Sequence, residues 1–283
     1  TNNKAGTRPE RRRRESAGES CPFRRSLKMG RLGSLGGDCF VYAALACGLL
    51  FWVPFKLNKK LREIFFARFA FPVGMYLMRD RMIGVRRQTF SQLNDLESHD
   101  DTLKKEGSIR VLELGAGFGA NLEHMQRKVK YWNLDPNAEF GGGFRENLKK
   151  NPNVELERWI RAYAEDMRGV PDGHFDVVLV SYVLCSVSEV GKVLSECKRV
   201  LSKGGRLVFV EHVAHPEGSW GLVVQKLLDP LWTCNSCGCH VTRKTALILK
   251  NAGFEKVELK EAFLPIPTTL SPHVYGFAVT DTN

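Results

Sequence analysis

The segment 109–121, IRVLELGAGFGAN, sets one carboxylate and three glycines at alternating positions: Glu113, Gly115, Gly117 and Gly119. A short apolar run that breaks into closely spaced glycines marks a strand whose following turn must lie against a ligand, with no side chain in the way. Gly115-x-Gly117-x-x-Ala120 satisfies the dinucleotide-binding pattern, a weak signal taken alone. Asp135 strengthens it. It stands 20 residues beyond Gly115, at the end of the apolar run 130–135, where a carboxylate accepts hydrogen bonds from both hydroxyls of a ribose. The chemistry implied is the binding of a cofactor that carries a nucleoside.

The elements that must position these residues alternate. Segment 110–114 reads as a strand and 120–127 as the helix after the glycines. Further strands are expected at 130–135 and in the first half of 154–166. The run 175–187, FDVVLVSYVLCSV, is almost continuously apolar, as in a strand covered on both faces. Within 190–205, Val193, Leu194, Cys197, Val200 and Leu201 recur at helical steps, and Gly204-Gly205 supply a stop. A buried strand at 206–213, a helix near 243–252 and two late strands, 254–262 and 273–280, complete the chain. The pattern is α/β, βαβα with a mostly parallel sheet.

Glu113-x-Gly115-x-Gly117-x-Gly119 also resembles motif I of the class I S-adenosylmethionine-dependent methyltransferases. Six further stretches occur in order: AEDM (164–167), LCSV (184–187), EHVA (211–214), LDPLW (228–232), GC-x-x-TR (238–243) and PHVYGFAV (272–279). Together they resemble the methyltransferase-like thiol S-methyltransferases, small membrane-anchored enzymes of the endoplasmic reticulum and lipid droplets. The resemblance covers about 106–280. It implies a class I methyltransferase (Rossmann-like) domain with a C-terminal antiparallel strand, and S-adenosyl-L-methionine as cofactor. It implies methyl transfer to small lipophilic thiols on the cytosolic face of a membrane. Cofactor contacts are expected from Glu113, Gly115, Gly117, Gly119, Asn121 and Asp135, with Glu165 and Asp166 toward the adenine and Asp166 preferred. Two departures stand out. Phe118 occupies a position where such loops carry Thr or Ser, and Gly141-Gly142-Gly143 weaken the helix after the second strand. Each is expected to lower cofactor affinity.

Methyl transfer to sulfur is an in-line displacement that needs alignment, exclusion of water and a thiolate. His212, at the carboxyl end of the fifth strand, is the candidate base; a structural histidine bonded to a loop carbonyl is the alternative. Cys185, Asp229, Trp232 and His273 are candidates for the acceptor pocket. The insert 216–240 is expected to cover it, with Trp220, Leu222, Val223, Leu227 and Leu228 as an apolar lid. Cys234, Cys237, Cys239 and His240 are of zinc-ligating types, but all four fall within seven residues and no distant pair closes a tetrahedron, so no metal is expected.

The net charge of +11 points toward nucleic acid only superficially. Residues 1–31 hold ten Lys/Arg against three Glu, so most of the excess belongs to a basic tail, 1–37, that reads as disordered, and no nucleic-acid partner is expected. Met29 is a candidate natural start, which would make the preceding residues translated upstream sequence; a real basic arm that binds acidic lipid or RNA is the alternative. Residues 39–55 carry no charge, a basic knot follows at Lys56, Lys59, Lys60 and Arg62, and 64–78 is apolar again except for Arg68. Segment 38–80 is therefore read as a membrane anchor, bound to lipid through 39–78, with a catalytic domain at 81–283 facing the cytosol. A buried amphipathic helix is the alternative. Eight cysteines without a repeating spacing fit a reducing compartment. A lipid or quinone methyltransferase would also suit an anchored domain, as would a lipid-droplet structural protein with a decayed domain.

Overall fold

The computed structural model describes residues 57–281; the basic tail and the first apolar run, 39–55, lie outside the described residues. A helix begins the described chain: α1 (Lys59–Phe65), a π-turn (Phe66–Ala70) and α2 (Phe71–Phe90) run on without a break. Then come α3 (Asp101–Lys105), β1 (Ile109–Leu114), β2 (Val129–Leu134), α4 (Gly141–Lys149), β3 (Val154–Ile160) and β4 (Phe175–Ser181). They are followed by α5 (Val190–Val200), β5 (Leu201–His212), α6 (Trp220–Asn235), α7 (Thr245–Lys250), β6 (Lys256–Phe263) and β7 (Pro272–Val279).

The seven strands form one sheet in the order β3-β2-β1-β4-β5-β7-β6. β1, β2, β3, β4 and β5 pair in parallel, and β7 runs antiparallel between β5 and β6. The order reverses between β1 and β4, where ligands bind at the carboxyl edge of such sheets. The period-2 alternation of the strands splits their side chains between two cores. Leu112, Leu114, Val178, Val180, Leu207 and Phe209 face α5, while Val111, Tyr131, Val177, Leu179 and Val208 face Phe90 and Leu93 at the end of the first helix. Cover on both faces explains why β4 reads as a continuous apolar run.

Two expected helices differ. No α-helix forms over 120–127; only a single 3₁₀ turn, Leu122–His124, is present. Gly115, Gly117 and Gly119 all hold positive φ, 63°, 56° and 74°, so helical backbone cannot begin before Ala120, and β2 starts at Val129. The helix expected over 190–205 ends at Val200, because Leu201 already pairs with Phe175 in the sheet.

The stretch 64–78 is not free for lipid around its whole circumference. Ala67 is fully buried, and Phe66 and Phe71 pack on Phe140, with Phe71 also against Phe118 of the glycine loop. The opposite face carries exposed Phe69, Val73, Tyr76 and Leu77. Among the described residues, no helix is long and apolar enough to cross a membrane.

The two departures noted in the sequence meet at Gly143. Phe118 lies edge-on to Phe140, and a Cβ added to Gly143 would stand 2.3 Å from its ring. At Gly143 the ring fills the space a side chain would take; Gly142 is open and Gly141 meets Trp159 only at ordinary contact distance, so the ring accounts for Gly143 alone. Substituting Gly143→Ala should therefore destabilise by about 1–3 kcal/mol through overpacking, although alanine is otherwise the better helix former. In a Phe118→Ala background the same change should stabilise by up to about 1 kcal/mol. A double-mutant cycle followed by chemical denaturation checks this; additive effects would show that the ring and the glycine are independent.

Candidate functional site

At the reversal of strand order a cavity of about 710 Å³ opens. Its floor is the glycine loop, through Gly115, Ala116 and Gly117, with Asn121 beyond it. One side is formed by Asp135, Pro136 and Asn137 after β2 and by Ala164 and Glu165 after β3. Ser181, Tyr182 and Val183 after β4 form another, and α6 closes a third with Pro230, Thr233 and Cys234, followed by Cys237 in the next turn. The first helix roofs it with Lys59, Arg62, Phe66, Phe71 and Arg86.

Glu113 lies beneath the floor, fully buried. Asn121 Nδ2 donates to its Oε1 at 2.7 Å, and the Tyr131 hydroxyl donates to its Oε2. Asn121 Oδ1 in turn accepts from Arg86 Nη1 at 3.1 Å. Burial raises the Glu113 carboxyl to about 7, against the lowering effect of its two donors and of Arg86. Asp135 is only 4% exposed, and its carboxylate accepts the Gly117 N–H at 3.0 Å and the Asn137 N–H at 2.8 Å. Burial raises its pKa and those two N–H donors oppose the rise. The loop and the end of β2 are thus locked together by one side chain that also faces the cavity.

The acidic pair after β3 divides. Glu165 lines the cavity and accepts the Ser188 N–H at 2.7 Å, while Asp166 is exposed and paired with Arg168. Gly119 stands off the cavity, packed against Leu122 and Phe144. His212 is also outside the lining: its Nε2 lies 3.1 Å from Cys239 Sγ, and its ring stacks behind Tyr182 at 6.2 Å. Cys185 and His273 lie in the same layer. Burial and the neighbouring His212 drop the His273 imidazole to about 3, so it is neutral. Asp229 holds His240 at 2.9 Å, and the Trp232 indole N–H donates to Cys239 Sγ at 3.3 Å. None of the four residues expected in an acceptor pocket contributes to the cavity wall. Nor does the expected lid: Trp220, Val223 and Leu227 are exposed on the outer side of α6, and its inner side presents Pro230, Thr233 and Cys234.

Three residues of the site escaped the sequence reading. Arg86, 6% exposed, reaches the cavity from 27 positions upstream of Glu113, with no motif to flag it among the neighbouring arginines. Tyr182 follows a buried strand directly, a position at the carboxyl edge that could have been flagged; its φ of 59° is a strained value for a residue with a Cβ. Glu211, fully buried, accepts the N–H groups of Val183, Leu184 and Cys185 and so holds that strained turn. The cavity wall is largely apolar, with a small number of polar groups set into it. Arg86 Nε, Ser181 Oγ, the Tyr182 hydroxyl and Glu165 Oε2 are buried in its wall without a protein partner. A nucleoside bearing an amino acid supplies matching groups: ribose hydroxyls for Asp135, an amine for Glu165, a carboxylate for Arg86.

The raised Glu113 pKa has a stability consequence. The folded state holds this proton more tightly than the unfolded chain, so the contribution of Glu113 is full below pH 4.5 and is lost as pH rises toward about 7. Relative to a Glu113→Gln variant, the wild-type chain should lose roughly 2–3 kcal/mol between pH 4.5 and 8. Melting curves of both proteins across that range check it; a constant difference would mean that the carboxyl does not titrate there.

Comparison with known proteins agrees with this geometry. A family model described as a methyltransferase domain matches residues 112–209, from β1 into β5. Human thiol S-methyltransferase TMT1B is 38% identical over 200 residues, 70% of this chain and 80% of its own. Human thiol S-methyltransferase TMT1A is 33% identical over 233 residues, 82% of this chain and 89% of its own. A crystal structure of a SAM-dependent methyltransferase from Thermotoga maritima superposes with a TM-score of 0.53 at 17% identity, covering 77% of this chain and 98% of that one. That likeness concerns the fold. The sheet order, the cavity at its reversal and the relatedness along most of the chain lead to one conclusion: this chain is an S-adenosylmethionine-dependent methyltransferase and belongs to the thiol S-methyltransferase family.

Proposed function

We propose that this enzyme methylates the sulfur of small lipophilic thiols while held at the cytosolic face of the endoplasmic reticulum membrane or of a lipid droplet. One observation carries the acceptor class: the two human relatives are named for thiol methylation, and their alignments cover 80% and 89% of their own lengths. When bound, S-adenosylmethionine supplies an electrophilic methyl group on a sulfonium that leaves readily. The protein's part is to orient and to exclude water. Asp135 takes the ribose hydroxyls, Glu165 the adenine amine, Arg86 the carboxylate, and Gly115 and Gly117 admit close approach of the backbone. The acceptor enters from the side walled by Pro230, Thr233 and Cys234, below Phe66 and Phe71.

With His212 behind Tyr182, the acceptor loses its proton to solvent rather than to that imidazole. Lys59, Arg62 and Arg86 line the cavity together with Glu63, Asp135 and Glu165, so the wall carries as many acidic as basic groups and supplies no excess positive field for the thiolate. The rate should then rise about tenfold per pH unit below the pKa of the acceptor thiol. The inflection should move when an alkyl thiol is replaced by a more acidic aryl thiol. A fixed inflection would instead assign the proton to a protein base.

Membrane attachment is supported by the exposed apolar stripe of Phe69, Val73, Tyr76 and Leu77 and by the uncharged run 39–55 that precedes the helix. The decisive assay uses detergent-solubilised full-length protein, methyl-labelled S-adenosylmethionine and a simple alkyl thiol. Label should appear on sulfur, and Asp135→Ala should reduce cofactor affinity about 100-fold through two lost charge-assisted hydrogen bonds. Transfer to a long-chain lipid or quinone, with none to the thiol, would overturn the acceptor class. A chain lacking residues 1–56 should leave the membrane fraction yet still bind cofactor. The truncation stops there because Phe66, Phe71 and Arg86 roof the cavity. Retention on membranes would assign the attachment to the exposed stripe of the first helix instead of to 39–55.

A further inference from the structure

Behind Tyr182, three side chains with metal-ligating atoms converge. The sulfurs of Cys185 and Cys239 and one imidazole nitrogen of His212 lie within 4.8 Å of one another. All are buried, at 1%, 8% and 5% exposure. They come from three places in the fold: the turn after β4, the end of β5 and the turn after α6. The backbone holds them there. Cys185 N–H donates to the buried Glu211 carboxylate at 3.3 Å, and Cys185 C=O accepts the His240 N–H at 2.8 Å, which ties the two cysteine segments together. The Trp232 indole N–H donates to Cys239 Sγ, so that sulfur already serves as an acceptor, as a metal-bound thiolate does. His212 Nδ1 is buried without a protein partner.

The geometry points to a binding site for a thiophilic divalent cation, zinc above all, held by Cys185, His212 and Cys239. Two thiolates and one neutral imidazole are the donor set that zinc prefers, and three protein ligands leave a fourth position open. Binding forms two metal–sulfur bonds and one metal–nitrogen bond, and the two thiol protons pass to solvent. The resulting unit of one dication and two thiolates is neutral, which suits a buried place. This cluster is not the crowded CNSCGCH set of the sequence. Cys234 and Cys237 face the cavity and His240 is taken by Asp229; of that set only Cys239 takes part. Ser186 and Gly238, the chain neighbours of the two cysteines, line the cavity, so an occupied site would brace its wall. The site does not depend on the acceptor being a thiol.

The test uses the full-length chain in detergent, reduced and stripped of metal with a chelator, then titrated with Co²⁺ as a spectroscopic probe and with Zn²⁺. One Co²⁺ per chain should bind, with sulfur-to-cobalt charge transfer and tetrahedral absorption that one equivalent of Zn²⁺ bleaches. Cys185→Ser and Cys239→Ser should each weaken binding at least about tenfold, and the Cys234→Ser/Cys237→Ser pair should not. Calorimetric binding of S-adenosylmethionine reports whether each variant is folded. Where a variant is not, alkylation of the wild-type chain with and without Zn²⁺, read by mass spectrometry, decides instead: Cys185 and Cys239 should be protected together. A chain that binds S-adenosylmethionine but takes up no stoichiometric metal would overturn the assignment. So would uptake that is lost with Cys234 and Cys237 yet kept without Cys185.

Discussion

A single buried carboxyl, Glu113, fixes the frame of this enzyme. It sits at the end of β1, an inner strand of the sheet, fully enclosed, and is held by Asn121 and Tyr131. Through Asn121 it reaches Arg86 on the first helix, and through Tyr131 it reaches the neighbouring strand β2. A polar group this deep is costly unless satisfied. The cost is offset only when loop, strand and helix stand in one arrangement, so the network specifies the shape of the cavity floor. Burial and the pull of Arg86 oppose each other, which leaves Glu113 with a pKa near neutrality rather than in the usual carboxylate range.

The first helix is consequently part of the enzyme. One face supplies Phe66, Phe71 and Arg86 to the cavity roof; the other carries Phe69, Val73, Tyr76 and Leu77 outward. A π-turn at Phe66–Ala70 falls where the helix crosses the glycine loop and brings Phe66 and Phe71 together at 5.7 Å. Lys60 and Arg68 both reach Glu139, beside Phe140, so the aromatic roof is flanked by ion pairs on the solvent side. The segment nearest the uncharged run is thereby coupled mechanically to the cofactor cavity.

A second buried carboxylate does for the far wall what Glu113 does for the floor. Glu211 accepts three successive N–H groups of the turn after β4, which pays for the strained backbone of Tyr182. Arg243 donates to the carbonyls of Leu184 and Val187 in the same turn. Glu211 of EHVA and Arg243 of the Thr-Arg pair thus hold the same turn from its N–H and its C=O side. They also separate two compartments, the open cavity in front of Tyr182 and the closed cysteine–histidine layer behind it.

Much was legible in the sequence. Hydrophobic period, glycine spacing and the Asp135 offset are local properties of the chain, and they determined the sheet, its order of elements and the cofactor loop. The resemblance of short ordered motifs determined the family. Contacts between distant segments were not legible, because they depend on which side chains the topology brings to one edge. Spacing could not show that Phe118 and Gly143 are one packing solution, nor that Arg86 closes the cavity from an upstream helix. Glu165 rather than Asp166 faces inward because only its side of the turn meets Ser188. His212, Cys185 and Cys239, read as a base, a pocket residue and an ordinary thiol, became one buried cluster only when β4, β5 and α6 were placed side by side. Sequence sets which groups a chain owns and the period in which they appear; tertiary structure alone decides which of them share a space, because that is settled by packing across long chain separations.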